Sequence, residues 1–311
     1  MSRRLVLCGD IGGTKTLLAI AALDGDRCDV VFERRYADRD FAEFTDLVRA
    51  FRDEARTPIE RACLGIAGPI DGRRVAVTNF PWQIDADALE AILGAPVALA
   101  NDFVAAAHGI DLLRPEEVAT LQAGEPQPRG PQVVIGAGTG LGVAYRVWQG
   151  DRYAVIGGEG GHAGFAPADE RQADLWRALH AQLGRVRVEQ VVSGPGLARI
   201  YDFLREGRGE ARSPEEIASG ADPVERAALD LFLECFGAAA GDHALGVLAR
   251  GGVWLAGGIA PKILPQLRGG PFVGAFSAKG AHAELMTRFP VRVVLSERLG
   301  LVGAARIAGG P

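Results

Sequence analysis

Two glycine-rich turns of one design limit what this chain can fold into. The first is Gly9-Asp10-Ile11-Gly12-Gly13-Thr14-Lys15-Thr16, and the second is Gly136-Ala137-Gly138-Thr139-Gly140-Leu141-Gly142. Each follows an apolar run, Leu5 to Cys8 and Val133 to Ile135. Each leads into another strand-like run, Leu17 to Ala22 and Val143 to Trp148. Strand, glycine turn and strand make a hairpin whose tip exposes backbone N–H groups, and glycine lets that backbone approach an anion closely. Neither turn is a Walker A loop, because Thr14 separates Gly13 from Lys15. Neither is a dinucleotide fingerprint: the sixth position from Gly136 is Leu141 and from Gly138 is Val143, and the following segment alternates like a strand. Either turn alone reads equally as an ordinary hairpin. As a pair, with Asp10, Thr14, Thr16 and Thr139 at the tips, they predict two similar half-domains that bind one polyphosphate between them.

Composition sets the class. The chain has 311 residues, 48% hydrophobic and 23% charged, enough for a sizeable core in two lobes, since single cores stop growing near ~250–300 residues. The net charge of −5 gives a nucleic-acid partner no electrostatic basis. Cys8, Cys28, Cys63 and Cys235 are scattered without a Cys-x-x-Cys pair, which predicts buried reduced thiols in a cytoplasmic protein. The apolar run after Arg3 and Arg4 stops at Asp10, too early for a signal peptide, and no stretch is long enough to cross a membrane. Lysine occurs only at Lys15, Lys262 and Lys279, which singles out Lys15 at a glycine tip.

Periodicity predicts strands at Arg4–Cys8, Leu17–Ala22, Cys28–Arg35, Ala62–Ala67, Arg74–Thr78 and Val97–Ala100 in the first lobe. Helices are expected at Phe41–Ala55, at Leu89–Leu93 and from Asn101-Asp102 onward. Gly124 to Pro131 reads as a connector. The second lobe repeats the plan, with strands at Gln132–Ile135, Val143–Trp148, Val253–Ala256 and Val291–Leu295. Its helices are expected at Glu170–Leu183, Gly196–Leu204, Pro214–Ser219, Pro223–Leu248 and Pro261–Leu267. Gly157 to Gly164 reads as a loop, and Gly300–Ala308 as a final helix. Mixed sheets flanked by helices, twice over, predict an α/β fold with a cleft between lobes.

Several groups carry chemistry in this pattern. Asn101-Asp102 stands where a buried strand meets a helix. Capping alone accounts for such a pair, but a carboxylate at the carboxyl end of a strand also faces the ligand crevice of an open sheet. There it would orient an attacking hydroxyl in phosphoryl transfer. Glu159 and His162 lie among the glycines of Gly157 to Gly161, which disfavour helix. They suit a polyhydroxyl ligand, Glu accepting from hydroxyls and neutral His donating or accepting; a solvated loop is the plain alternative, and no zinc signature fits. Glu189 alone reads as a surface charge. Asp10 suits a magnesium ion's water shell beside a nucleotide, or else an Asx-type turn. Gly257 and Gly258, between a strand and a helix, let a flat ring or ribose lie on the backbone, or simply let strand and helix pack.

In this order the segments resemble the bacterial ATP-dependent glucokinases of the sugar-kinase, actin and Hsp70 fold, a two-lobed actin/hexokinase-like (ribonuclease H-like) α/β architecture. The resemblance runs through both glycine turns, Thr78-Asn79 with Trp82, Asn101-Asp102-Phe103, Gly158-Glu159-Gly160-Gly161-His162, Ser193-Gly194-Pro195-Gly196-Leu197, Ala256-Gly257-Gly258-Ile259 and Lys279-Gly280. It implies that glucose is held by Asn101, Asp102, Glu159, His162 and Glu189, with Asp102 as catalytic base toward the 6-hydroxyl. It implies that Asp10, Gly12, Gly13, Thr14, Lys15, Gly138, Thr139, Gly140, Gly257 and Gly258 hold ATP with Mg2+, Asp10 meeting the ion through water. It also implies a homodimer, and a discontinuous small domain of residues 1–112 plus 301–311 beside a large domain of 113–300. Two departures stand out. Lys15 replaces the Asn of some such glucokinases and is usual in the related ROK kinases. The His/Cys zinc cluster of the ROK group has no cysteine to form it between Ala163 and Glu170, so no structural zinc is expected. Nor is there room before the first turn for the helix-turn-helix of ROK repressors. The alternatives left open are the same chemistry on fructose, mannose or an N-acetylated amino sugar, and a non-catalytic sugar sensor. An ATPase chaperone or filament protein would leave Glu159, His162 and Glu189 without a role.

Overall fold

A computed structural model describes residues 3–12, 15–25, 27–77 and 80–310. Gly13 and Thr14 of the first turn, and Thr78-Asn79, lie outside them. In chain order the strands and helices of the first part are β1 (Arg4–Ile11), β2 (Lys15–Asp24), β3 (Arg27–Ala37), α1 (Phe44–Ala55), β4 (Arg61–Ile66), β5 (Arg74–Ala76), β6 (Gln83–Asp85), α2 (Ala86–Leu93), β7 (Val97–Asn101) and α3 (Asp102–Gly109). There follow β8 (Val118–Gln122), β9 (Gln132–Ala137), β10 (Leu141–Gln149), β11 (Arg152–Gly158), α4 (Glu170–Leu183), α5 (Gly194–Leu204), α6 (Pro214–Ser219) and α7 (Pro223–Val247). The last are β12 (Gly252–Ala256), α8 (Leu264–Leu267), α9 (Pro271–Ser277), α10 (Ala283–Met286), β13 (Val291–Val294) and α11 (Leu299–Gly309). The chain divides into two compact units, Met1–Pro115 with Ser296–Pro311, and Glu116–Leu295.

The two glycine turns do close hairpins: β1 pairs antiparallel with β2, and β9 with β10. The sheets share one plan. In the first the order is β3-β2-β1-β4-β7, and in the second β11-β10-β9-β12-β13, with β8 added at the edge. In each, the first three strands run antiparallel and the next two join parallel.

Strand alternation explains the layers of the first unit. Leu7 and Ile11 of β1 join Leu18, Ile20, Phe44, Leu47, Val48 and Phe51 in one apolar cluster. Val6 and Cys8 point the other way and join Ala19, Ala21, Ala105, Leu301, Ala304 and Ala305. The second cluster is built of small residues, which lets α3 and α11 lie close to the sheet and to each other. A methyl group at Gly303 of α11 would overlap the carbonyl oxygen of Ala105 on α3, and one at Gly109 would meet that of Leu299. In the second unit, Val133, Ile135, Val253, Leu255, Val291 and Val293 share a cluster with Phe232 and Phe236 of α7 and Phe272 and Phe276 of α9.

Some elements depart from the periodicity. The strands of both hairpins reach further into the glycine turns than the apolar runs do, because ladder hydrogen bonds hold polar and glycine residues as well. Asp10 thus pairs with Leu17 inside β1 rather than standing at the tip. Helix α1 begins at Phe44, not Phe41: Phe41 is extended, closing a 3₁₀ turn over Asp38–Asp40, and its carbonyl accepts from Trp82 Nε1 at 3.3 Å. Strand β11 takes in Gly157 and Gly158, which the β10 ladder pairs with Ala144 and Val143. Between Pro261 and Leu267 only α8 is α-helical. Strand β8 and helices α9 and α10 carried no signal at their length. Helix α9 rests on Gly237 and Gly241 of α7, where added methyl groups would overlap the carbonyls of Phe272 and Phe276. Cys8, Cys63 and Cys235 are buried and Cys28 half-buried, all as free thiols. Among the described residues no helix is long and apolar enough to cross a membrane.

The α3–α11 contact generates a prediction. Gly303→Ala forces these helices apart and costs about 2–3 kcal/mol of stability, as overpacking of a tight core does, whereas Ala308→Gly at the far end of α11 costs about 1 kcal/mol. Urea unfolding of the two variants beside wild type checks the difference; equal midpoints for Gly303→Ala and wild type would refute the close-packing argument.

Candidate active site

The first unit gathers its polar residues at the carboxyl ends of parallel strands. Asp10 of β1 stands opposite Gly65 of β4, which stands opposite Ala100 of β7. Beyond Ala100, β7 ends at Asn101 and α3 begins at Asp102. Asn101 is the N-cap: its Oδ1 accepts from Phe103 N at 2.9 Å and Val104 N at 3.2 Å. Its Nδ2 donates to Gly68 O at 3.1 Å, tying the cap to the loop after β4. Asp102 Oδ1 also accepts from Phe103 N, at 2.9 Å. The capping explanation for this pair is therefore correct, and it is also what fixes Asp102 in place. Gly65 is the spacer: a methyl there would lie 3.2 Å from Ala105 Cβ and 3.8 Å from Asp102 Cα. Absence of a side chain at Gly65 lets α3 start directly over the sheet.

Asp10 lies two strands from that helix start. A methyl on Gly300, in the first turn of α11, would be 3.3 Å from Asp10 Oδ2. Burial pushes the Asp10 carboxyl above its ordinary range. Gly12 N donates to Lys15 O at 3.1 Å, closing the turn. Lys15 is exposed and opens β2.

The second unit brings together what the sequence left apart. The tip after β9 is closed by Gly138 N donating to Gly140 O at 2.9 Å, and Gly194 N, at the start of α5, donates to Gly138 O at 2.8 Å. Thr139 is exposed at this tip. The chain from β11 folds over the first residues of β10. A methyl on Gly160 would lie 2.8 Å from Val143 Cγ2 and from His243 Cε1, and one on Gly161 would overlap the Leu141 carbonyl. These contacts seat Glu159 and His162, the two ends of a 3₁₀ turn in which His162 N donates to Glu159 O at 3.0 Å. His243, behind this turn, receives or gives a hydrogen bond at Nδ1 with Tyr145 Oη at 2.8 Å.

Glu189 arrives from a different segment. Phe165 N donates to Val186 O at 3.0 Å and Val188 N to Ala163 O at 2.9 Å, so the chain after His162 is zipped to residues 186–188. His162 Nε2 lies 3.4 Å from Glu189 Oε1. The other carboxylate oxygen faces the glycine tip, 3.0 Å from where a Cβ on Gly140 would be. Glu189 is thus no solvated surface charge: it joins the tip to His162. Arg187, which carried no signal of its own, completes the cluster: it is the extended N-cap of the 3₁₀ turn Val188–Gln190 that carries Glu189. At the end of β12, Gly257 (φ +80°) abuts the Ala137 carbonyl. Open space lies over the α-carbons of Gly138 and Gly258, room for a ligand against bare backbone.

Asp10 yields a test with a defined sign. Its folded-state pKa is raised above the unfolded value, so the ionised carboxylate opposes folding. That cost is absent below the ordinary carboxylate range and appears as pH rises through the raised pKa. Asp10→Asn is therefore more stable than wild type at pH 7, and the gap closes on acidification toward pH 3. Thermal unfolding across that range checks it. A variant no more stable at pH 7 would mean that the carboxylate is already compensated within the fold.

The comparisons agree in one direction. The glucokinase family model matches residues 7–310. A glucokinase of Nostoc sp. is 38% identical, over 98% of this chain and 98% of its own. The crystal structure of a glucokinase from an Antarctic psychrotroph superposes with a TM-score of 0.87 at 29% identity, over 99% of each chain. A ROK family glucokinase from Streptomyces griseus, solved with glucose and AMPPNP, shares the fold, with a TM-score of 0.69 at 22% identity over 99% of this chain and 100% of its own. The two-lobed α/β sugar-kinase architecture expected from the motifs is the one these neighbours have. The chain belongs to the glucokinase family.

Proposed function

We propose that this chain transfers the γ-phosphoryl group of ATP to the 6-hydroxyl of D-glucose, giving glucose 6-phosphate and ADP, the entry step of glycolysis. Membership of the family makes it an ATP-dependent sugar kinase. The observation that carries the site is in the second unit: a glycine tip and a Glu–His–Glu group form one packed assembly, joined through Gly161 against Leu141 and Glu189 against Gly140. That combination suits a ligand that carries phosphate and hydroxyl groups near one another.

In this reading glucose is held by Asn101, Asp102, Glu159, His162 and Glu189. Asn101 meets it while serving as a helix cap, so its role is to position backbone as much as to contact sugar. Asp102 is the base. Its Oδ1 accepts from the Phe103 amide, which sets the plane of the carboxylate. A carboxylate is a weak base at neutral pH, and a loose phosphoryl transition state keeps the nucleophile's proton until late. Asp102 therefore acts chiefly by orienting the 6-hydroxyl and taking its proton as the new O–P bond forms. The glutamates accept hydrogen bonds from other hydroxyls and His162 donates or accepts one.

The residues present fit ATP with magnesium. Gly12, Gly13, Thr14 and Lys15 of the first turn and Gly138, Thr139 and Gly140 of the second supply amides, hydroxyls and one cation for phosphate. Gly257 and Gly258 offer bare backbone to the nucleoside. Asp10, whose charged form is disfavoured by burial, suits a hydrated divalent ion that keeps most of its water. When bound, magnesium neutralises charge on the β- and γ-phosphates. The same reading carries a cytoplasmic homodimer, for which sedimentation of the purified chain at micromolar concentration is the check.

A coupled assay for glucose 6-phosphate, with ATP and magnesium, tests the proposal. Wild type turns over glucose, and Asp102→Ala loses about 100- to 10,000-fold in kcat, the usual worth of a positioned general base, while still binding glucose. Turnover of another hexose in place of glucose would move the substrate assignment, and sugar binding without turnover of any hexose would make the chain a sensor.

A further inference from the structure

Arg187 belongs to none of the roles above, yet it lies inside the sugar group. Its Nη1 is 3.2 Å from His162 Nδ1 and 3.3 Å from Glu189 Oε1. Backbone places it there. Val186 and Val188 are buried on either side of it, which leaves Arg187 facing out, and the 3₁₀ turn Val188–Gln190 that Arg187 caps brings Glu189 back beside it. Residues 186 to 188 are pinned to 163 to 165, with Gly164 and Arg187 paired as an antiparallel bridge. Arg187 N donates to Gln190 Oε1 at 2.8 Å, which holds the segment from its other side.

The chemistry of that contact is one-directional. A guanidinium has only donors and keeps its proton at any physiological pH. His162 Nδ1 must then accept, so the ring proton sits on Nε2. We propose that Arg187 is a positioning residue for sugar recognition: it holds His162 as the neutral Nε2–H tautomer and anchors Glu189 through Oε1. The result is an ordered pair, a donor at His162 Nε2 beside an acceptor at Glu189, 3.4 Å apart. Such a pair reads a hydroxyl that accepts from one and donates to the other, or two neighbouring hydroxyls of one sugar. Without the guanidinium the imidazole is free to carry its proton on Nδ1 instead, and the donor–acceptor order is lost. This inference rests on the assignment of His162 and Glu189 to the sugar.

The test reads the tautomer and the kinetics separately. Long-range 1H–15N correlation spectra of the full chain at neutral pH, with the His162 signals assigned by their loss in His162→Gln, are expected to show Nε2–H in wild type. In Arg187→Met they are expected to show a mixture of the two tautomers. The glucose KM of Arg187→Met rises about tenfold or more, on the scale of a charge-assisted hydrogen bond, with kcat changed by less than about threefold. Arg187→Lys, which keeps a donor and the charge, recovers part of the loss. Arg187→Gln serves in place of the Met variant if that one does not fold. Wild-type His162 protonated on Nδ1, or an Arg187→Met protein with an unchanged tautomer and unchanged KM, overturns the role of Arg187. The failure of the underlying assignment looks different: His162→Gln would then leave the glucose KM unaltered, whatever the spectra of Arg187→Met show.

Discussion

Backbone touching backbone is the constraint on which both halves of this structure depend. In the first unit, α3 and α11 meet at Gly303 and Ala105 with no side chain between them. That closeness sets how far α3 lies above β4, and with Gly65 it sets where Asp102 begins the helix. It also brings the first turn of α11 to the Asp10 carboxylate. Bulkier residues would fill the same space with favourable apolar contact, but they would lift the helix and carry Asp102 away from the strand ends. The small residues are thus kept for position rather than for burial.

The second unit solves an analogous problem with different parts. The carboxylates and imidazole of its candidate site sit on irregular chain, where alternation and helical pitch give no rigidity. Gly160 and Gly161 press that chain onto the start of β10, so the segment holding Glu159 and His162 inherits the stiffness of the sheet. Backbone pairing of residues 163–165 with 186–188 then supplies Arg187 and Glu189. The charges of this group are half-exposed and modest in energy. Their value lies in direction: a guanidinium that only donates dictates which nitrogen of His162 accepts.

The same economy appears at Asn101, where one amide does two jobs. Its oxygen caps α3 and its nitrogen ties β7 to the loop after β4. A stability role and the proposed site role are not competing explanations there, because the cap is also what holds Asp102 at the strand ends. Asp10 runs the other way. Its ionised form is disfavoured by burial, so the fold would be more stable with that carboxyl neutral.

How much of this was legible in the chain follows from range. The hairpins, most helices and the α/β class are written in local periodicity and glycine position, because burial on both faces of β1 or one face of α1 repeats within a few residues. The motifs, in their order, pointed to the family. Short elements were lost: β8, α9 and α10 are stabilised by partners far along the chain, such as the glycine notches of α7 under α9. The Glu159–His162 pair was visible because glycines isolate it, but Glu189 and Arg187 looked like any surface charges. Only the tertiary fold brings residues 186–189 against His162, through hydrogen bonds between segments more than twenty residues apart. The sequence by itself determined which chemical groups exist and which local shapes carry them. The tertiary structure decided which groups meet, because that depends on close approaches of backbone that no local pattern records.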